Sequence, residues 1–127
     1  MTELEQIWAD QARYDLDTAR AMLDSNRYLY VLFCCQQAVE KALKSRIVGR
    51  TGELPPRIHN LLKLVETVGI ELQADHVLFL GELSMYYIKT RYPEEIRALG
   101  ATVTCEIATD VLGKTEEIIQ WLFSASK

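Results

Sequence analysis

The stretch from residue 28 to residue 48, YLYVLFCCQQAVEKALKSRIV, has the periodicity of a helix but carries polar side chains beside its apolar seam. One stripe at helical spacing is mostly apolar and consists of Val31, Cys35, Ala38, Ala42 and Arg46. The stripe beside it is mostly polar and consists of Phe33, Gln37, Lys41, Lys44 and Val48. If Gln37 and Lys41 face inward, each needs a polar partner, because a buried amide or ammonium without one is costly. The search for those partners leads to the candidate functional residues.

The chain before this stretch predicts another helix, which Thr2 caps and which runs to about Asp24. Glu5 follows Thr2 by three residues, which is the capping-box pattern. The inward seam of this helix consists of Trp8, Ala12, Asp15, Ala19 and Met22. Asp15 is the exception, a carboxylate on an apolar stripe. Because only Ser25 and Asn26 interrupt the helical pattern, we expect the first two helices to pack as an antiparallel hairpin.

The second half of the chain predicts one short helix and two longer ones. Their expected spans are 58–68, about 74–90 and about 101–124. The first of the two longer helices is apolar at Val77, Leu78, Leu80, Leu83 and Tyr87. We expect the second to carry five apolar side chains inward: Val103, Ile107, Val111, Ile118 and Leu122. Residues 94–100 are expected to be a connector, since Pro93 cannot continue a helix and pushes Tyr92 out of helical geometry. The predicted fold is all-α, an antiparallel four-helix bundle with a short additional helix between helices 2 and 3, in one domain over residues 1–127.

Composition narrows the class of protein. The chain has 127 residues, 49% of them apolar and 25% charged, as in ordinary soluble globular domains. No apolar run reaches the roughly 20 residues that a membrane span needs, so we expect no membrane association. The polar, acidic N-terminal stretch resembles no targeting segment, and we expect a cytoplasmic location. The net charge of −4 argues against a protein that coats nucleic acid extensively.

The three cysteines form no pattern typical of a disulfide framework or a metal site. Cys34 and Cys35 are adjacent, and Cys105 is remote from both. We expect all three to be small buried hydrophobes in a reducing compartment. His59 and His76 have no carboxylate or thiol at ligand spacing, so the sequence predicts neither a metal nor a cofactor.

Four segments, taken in order, resemble the HEPN domain (higher eukaryotes and prokaryotes nucleotide-binding). They are WADQARYDLDTARAML, FCCQQAVEKALKS, PPRIHNLLKL and YYIKTRYPEEI, and together they cover nearly the whole chain. The resemblance is greatest to the stand-alone prokaryotic branch, whose members are often encoded beside a minimal nucleotidyltransferase. It implies a helical bundle, a homodimer and a nucleotidyltransferase partner.

The sequence departs from the ribonucleases of that family, whose motif is an Arg followed four to six residues later by His. Arg91 has no His after it, and His59 follows Arg57 by only two residues. His76 has no Arg four to six residues before it. The usual group for proton transfer near neutral pH is therefore missing from the expected position.

Binding candidates remain at the end of the third long helix. Arg91 shares a helical face with Tyr87, and with Tyr92 it could grip a phosphate and stack on a base. A purely structural alternative is that Arg91 pairs with Asp15 or Glu40 and locks helices together.

His59 opens the predicted short helix and could contact an anion there. Alternatively, it could cap that helix or make an interhelical hydrogen bond, with Asp15 or Gln37 as candidate partners. Gln37 and Lys41 could line a cation-rich cleft with Arg91. Alternatively, Lys44 forms an i,i+4 pair with Glu40 on a solvated face.

The sequence thus predicts a HEPN-like domain that binds a nucleotide or RNA-like anion. It would act as a homodimer and as partner of a minimal nucleotidyltransferase in a toxin–antitoxin-type system. The ligand-binding candidates are Asp15, Gln37, Lys41, His59, Tyr87, Arg91 and Tyr92. Two alternatives stay open: a metal-independent ribonuclease with a non-standard site, and a purely structural interaction module.

Overall fold

Six α-helices make up most of the computed structural model, which describes residues 1–87 and 92–124. They are α1 (Glu3–Asp24), α2 (Tyr28–Thr51), α3 (Leu61–Val68), α4 (Ala74–Leu83), α5 (Pro93–Gly100) and α6 (Cys105–Ser124). One 3-10 turn, Ser84–Tyr86, follows α4. The described residues contain no β-strand, so the predicted all-α class is confirmed. No helix within these residues has the length and apolar character needed to cross a lipid bilayer.

Helices α1 and α2 form the predicted antiparallel hairpin. The predicted capping box is present, since the Glu5 amide donates to Thr2 Oγ1 and the Thr2 amide donates to a Glu5 carboxylate oxygen. Asn26 takes a left-handed conformation, φ 61°, and turns the chain between the two helices. Ser45 Oγ donates to the Glu5 carbonyl near one end of the hairpin, which fixes its register.

Helix α2 is the centre of the molecule and packs against α1, α3 and α6. Most of its circumference is buried, whereas α1 and α6 each bury only one stripe. The buried set includes five polar residues on α2: Gln36, Glu40, Lys44, Ser45 and Arg46. Lys44 of the polar stripe is therefore enclosed by other helices, whereas Gln37 and Lys41 of the same stripe are only half-buried.

The polypeptide leaves helical geometry earlier after α4 than the sequence predicts. The α-helix ends at Leu83, and Tyr87 is extended, with φ −71° and ψ 108°. The cause lies in tertiary contacts: Ser84 Oγ accepts the Leu61 amide at 2.9 Å, which ties this turn to the start of α3. The remainder of the predicted span, 88–90, lies outside the described residues.

Helix α5 occupies the segment 94–100, where the sequence analysis expected only a connector. Pro93 fits the first helical turn, because its missing N–H would have no partner there. Tyr92 is extended, as predicted, and precedes the helix. Glu94 and Glu95 in the first turn and Arg97 in the last complement the helix dipole, so local chemistry favours this short helix.

Ile107, which was expected to face inward, is exposed, and so are the apolar positions Val77 and Leu78 of α4. Their helices lie at the periphery and bury only one stripe each. Leu80 and Leu83 of α4 are buried, as are Ile118 and Leu122 of α6. Fewer apolar residues of α4 and α6 are therefore buried in the core than the sequence pattern indicates.

Candidate functional site

The carboxylate of Glu40 lies at the centre of a buried polar cluster. Its side chain is 6% exposed, and it accepts from Lys44 Nζ at 3.1 Å and from Gln36 Nε2 at 3.1 Å. His59 Nδ1 is 3.1 Å from both carboxylate oxygens. A buried charge needs such partners, because burial removes it from water. We call Gln36, Glu40, Lys44, His59 and Tyr87 the Glu40 cluster.

His59 connects the buried part of the cluster to the surface. Its ring stacks on that of Tyr87, with centroids 4.0 Å apart and an interplanar angle of 14°. Its backbone carbonyl accepts from Gln36 Nε2 at 3.3 Å. The side chain is 39% exposed, and no group in the described part of the chain bonds to its Nε2 atom. The described residues thus hold the imidazole by one nitrogen and by one face of the ring.

The expected interhelical hydrogen bond of His59 is present, but its partner is Glu40 rather than Asp15 or Gln37. Nor does His59 cap α3, since Asn60 Oδ1 accepts the amides of Leu62 and Lys63. With the cap supplied by Asn60, the imidazole is free to turn towards α2.

Asp15 and Lys41 form a separate ion pair between α1 and α2, with Lys41 Nζ 2.6 Å from Asp15 Oδ2. Asp15 therefore partners Lys41, as the inward polar stripe required. Gln37 donates to Gln36 Oε1 at 2.7 Å and so adjoins the Glu40 cluster. Lys41 carries a charge that Asp15 already neutralises, which makes it a weaker anion ligand than the sequence suggested.

The remaining candidates, Tyr87, Arg91 and Tyr92, belong to the stretch YYIKTRYP, residues 86–93. Tyr87 belongs to the Glu40 cluster, whereas Tyr92 is 70% exposed before α5. Arg91 lies outside the described residues, so its expected convergence with Gln37 and Lys41 stays a prediction.

Sequence reasoning did not name Gln36, Glu40 and Lys44 as site residues. A solvated i,i+4 pair of Glu40 with Lys44 was one of the two alternatives, and it is wrong, because both side chains are 6% exposed. Lys44 Nζ also lies 5.6 Å from the ring centre of Trp8 on α1. The signal was available, since Gln36, Glu40 and Lys44 recur every four residues on a helix rich in apolar residues.

The two thiols on α2 are poor nucleophiles. Burial raises the pKa of Cys35 to about 12, and burial with the Asp15 charge raises the pKa of Cys34 to about 11. Both therefore stay protonated near neutral pH. Cys105, which was expected to be buried, is exposed, because it lies in the first turn of α6 outside the buried stripe.

Comparison with known proteins gives one family and two similar structures. The HEPN domain profile matches residues 5–125. The crystal structure of TT1696 from Thermus thermophilus is similar, with 26% identity, a TM-score of 0.83 and coverage of 97% of this chain and 98% of that one. The crystal structure of an archaeal HEPN homologue has 23% identity and a TM-score of 0.77, covers 100% of both chains and indicates a shared fold. No curated protein matches the sequence.

Proposed function

This chain belongs to the HEPN family, and on that basis we propose that it binds a nucleotide or an RNA-like anion. We further propose that it acts as a homodimer with a minimal nucleotidyltransferase as partner, in a toxin–antitoxin-type system of the stand-alone prokaryotic branch. The Glu40 cluster is the binding site in this proposal.

The stacked pair of His59 and Tyr87 is the observation that carries the proposal. Two rings 4.0 Å apart, one of them 39% exposed, offer a platform on which a base can stack. The contact of the Glu40 carboxylate with His59 Nδ1 fixes the orientation of the imidazole, so the two rings are ordered before a ligand binds. Preorganised aromatic side chains lower the entropy cost of binding.

Cationic side chains close in sequence to the platform would hold the phosphate. Arg57 is exposed and precedes His59 by two residues. Arg91 follows Tyr87 by four residues. A guanidinium can donate two parallel hydrogen bonds to a phosphate, so either side chain suits the ligand. The chain has no Gly-rich phosphate loop of the GxxxxGK type, and side chains must supply these contacts.

Titration calorimetry with ATP and with a short RNA oligonucleotide tests the site. We expect Tyr87→Ala and His59→Ala to weaken binding roughly tenfold or more, since stacking contributes about 1–3 kcal/mol per base. Arg91→Ala should weaken it comparably without unfolding the bundle. Tyr14→Ala and Arg27→Ala, at exposed positions on other surfaces, are the matched controls. Equal affinities across all five variants and the wild type would remove the platform from the site.

A ribonuclease with a non-standard site is the second candidate, and one observation favours it. His59 Nδ1 is held by a carboxylate, which leaves Nε2 to accept or donate a proton. The Arg-to-His spacing of the family ribonucleases is absent. RNA cleavage in EDTA that His59→Ala abolishes and Tyr14→Ala preserves would support this activity. An intact RNA substrate after prolonged incubation would argue against it.

Light scattering and co-expression test the assembly. We expect a homodimer in light scattering and a stable complex with a co-expressed minimal nucleotidyltransferase. A stable complex without measurable nucleotide affinity would instead favour the purely structural interaction module.

A further inference from the structure

A groove separate from the Glu40 cluster runs between α4, with its following 3-10 turn, and α6. Its volume is about 600 Å³, and Leu32 of α2 contributes to its lining. Its described lining includes the apolar Phe79, Met85, Ile107 and Val111 and the acidic Glu82 and Glu106. No side chain of the Glu40 cluster lines this groove.

Apolar side chains in this groove face solvent. Met85 is 71% exposed and Ile107 is 42% exposed, although both line the groove. Phe79 and Val111 beside them are only half-buried. Continuous exposed apolar surface flanked by polar groups is typical of sites that bind another protein.

The edges of the groove are acidic. Glu82 and Glu106 have no ion pair or hydrogen-bond partner among the residues described. Among the described lining residues, Lys114 is the single cation, and Asp110 Oδ2 neutralises it at 3.1 Å. Within the described part of the chain, the groove therefore combines an apolar floor with two carboxylates that lack a partner, a combination that favours a positively charged ligand.

The length of the groove limits what can bind in it. Its lining residues on α6 run from Glu106 to Lys114, which corresponds to about 12 Å at the rise of an α-helix. That length accommodates apolar anchors at i, i+3 or i+4, and i+7 of a single helix.

We propose that this groove docks a cationic amphipathic helix of a partner protein. The apolar face of that helix packs on Phe79, Ile107 and Val111, and its lysines or arginines pair with Glu82 and Glu106. A second copy of this chain is the less complementary occupant, because each copy carries a net charge of −4 and would bring further acidic surface to an acidic groove.

A pair of synthetic helical peptides tests this proposal on the full chain. The first has leucines at i, i+3 and i+7 with flanking lysines, and the second has glutamate in place of every lysine. By fluorescence anisotropy, we expect the lysine peptide to bind with one-to-one stoichiometry and the glutamate peptide to show no binding. The doubly substituted Glu82→Gln, Glu106→Gln protein should bind the lysine peptide roughly three- to tenfold more weakly, because two exposed ion pairs are lost.

Control variants separate this groove from other surfaces. The doubly substituted Glu66→Gln, Glu71→Gln protein removes two exposed carboxylates elsewhere and should keep wild-type affinity. His59→Ala should also keep it, so the result does not depend on the nucleotide site. Equal losses in the two double variants, or equal binding of both peptides, would overturn the proposal. Conversion of a dimer to a monomer by Ile107→Ser would also overturn it, by assigning the groove to a second copy.

Discussion

The Glu40 cluster contains a buried ion pair between two residues of α2, Glu40 and Lys44. Glu40 and Lys44 are each 6% exposed, and each has its main counter-charge in the other. A buried ion pair is weak evidence of stability, because desolvation offsets much of the attraction. Its clearer effect is to hold an ionised carboxylate in place, where it orients the imidazole of His59.

Replacing Glu40 with Gln should destabilise the protein by about 3 kcal/mol, because it leaves the Lys44 ammonium buried without a counter-charge. Urea denaturation followed by circular dichroism measures the change. Glu40→Gln combined with Lys44→Met should recover most of the loss, since an apolar side chain of similar length replaces the unpaired charge. A loss below about 1 kcal/mol in the single variant would show that water reaches the cluster.

The buried thiols predict a fall in stability at alkaline pH. The pKa of Cys34 is about 11 and that of Cys35 about 12, against an ordinary value of 9.0. Because the folded values are raised, the stabilisation is complete below pH 9 and is lost as the pH rises towards 12. The free energy of unfolding should fall by at most about 1.4 kcal/mol per pH unit for each thiol.

Chemical denaturation at pH 8, 9.5 and 10.5 measures this dependence. A protein with both Cys34→Ala and Cys35→Ala should lose stability less steeply over the same range, although it starts from a lower value. Parallel pH profiles for the two proteins would mean that other groups cause the fall.

Two helix boundaries in this chain follow local chemistry. α1 begins at its capping box, and α3 ends at Val68, directly before Gly69, whose φ is +79°. Where tertiary contacts intervene, as at Ser84, the boundary moves away from the position that the sequence pattern predicts.

Two glycine substitutions should have opposite effects for this reason. Gly113 lies inside α6, and a Cβ added there would meet no neighbouring side chain within 4 Å, so Gly113→Ala should stabilise the protein by roughly 0.5–1 kcal/mol. Gly69→Ala should destabilise it by about 1 kcal/mol, because alanine is strained at positive φ. The midpoint temperature of thermal unfolding should rise by a few degrees for Gly113→Ala and fall by a few degrees for Gly69→Ala. Shifts of the same sign in the two variants would contradict this account.

The molecule as a whole is organised around α2. Residues of α1, α2, α3, α4 and α6 contribute to one hydrophobic core, which contains the fully buried Leu32, Leu43 and Leu64. Because the surrounding helices share this core, we expect them to lose structure together rather than one at a time.

Tryptophans on two different helices make this cooperativity measurable. Trp8 lies on α1 and Trp121 on α6, and both are half-buried. In Trp8→Phe and in Trp121→Phe, the fluorescence of the remaining tryptophan and the circular dichroism should give the same denaturant midpoint. Midpoints that differ within one variant would indicate that α1 or α6 unfolds independently.

Hydrophobic periodicity and local caps were enough to predict the all-α fold, the α1–α2 hairpin and the Thr2–Glu5 cap. These depend on residues close in sequence, whose spacing determines which side chains share a helical face. The ion pair of Asp15 with Lys41 was foreseen only in part, as an inward polar group that needed a partner.

Contacts between segments distant in sequence determined the Glu40 cluster and the burial of its charges. Glu40 meets His59 across nineteen residues, and the extended backbone at Tyr87 brings its ring onto that imidazole. The enclosure of α2 by its neighbours turned a pair expected in solvent into a buried one. Periodicity identifies the face on which a residue lies, but the packing of other helices determines whether that face meets water, a charge or a ring.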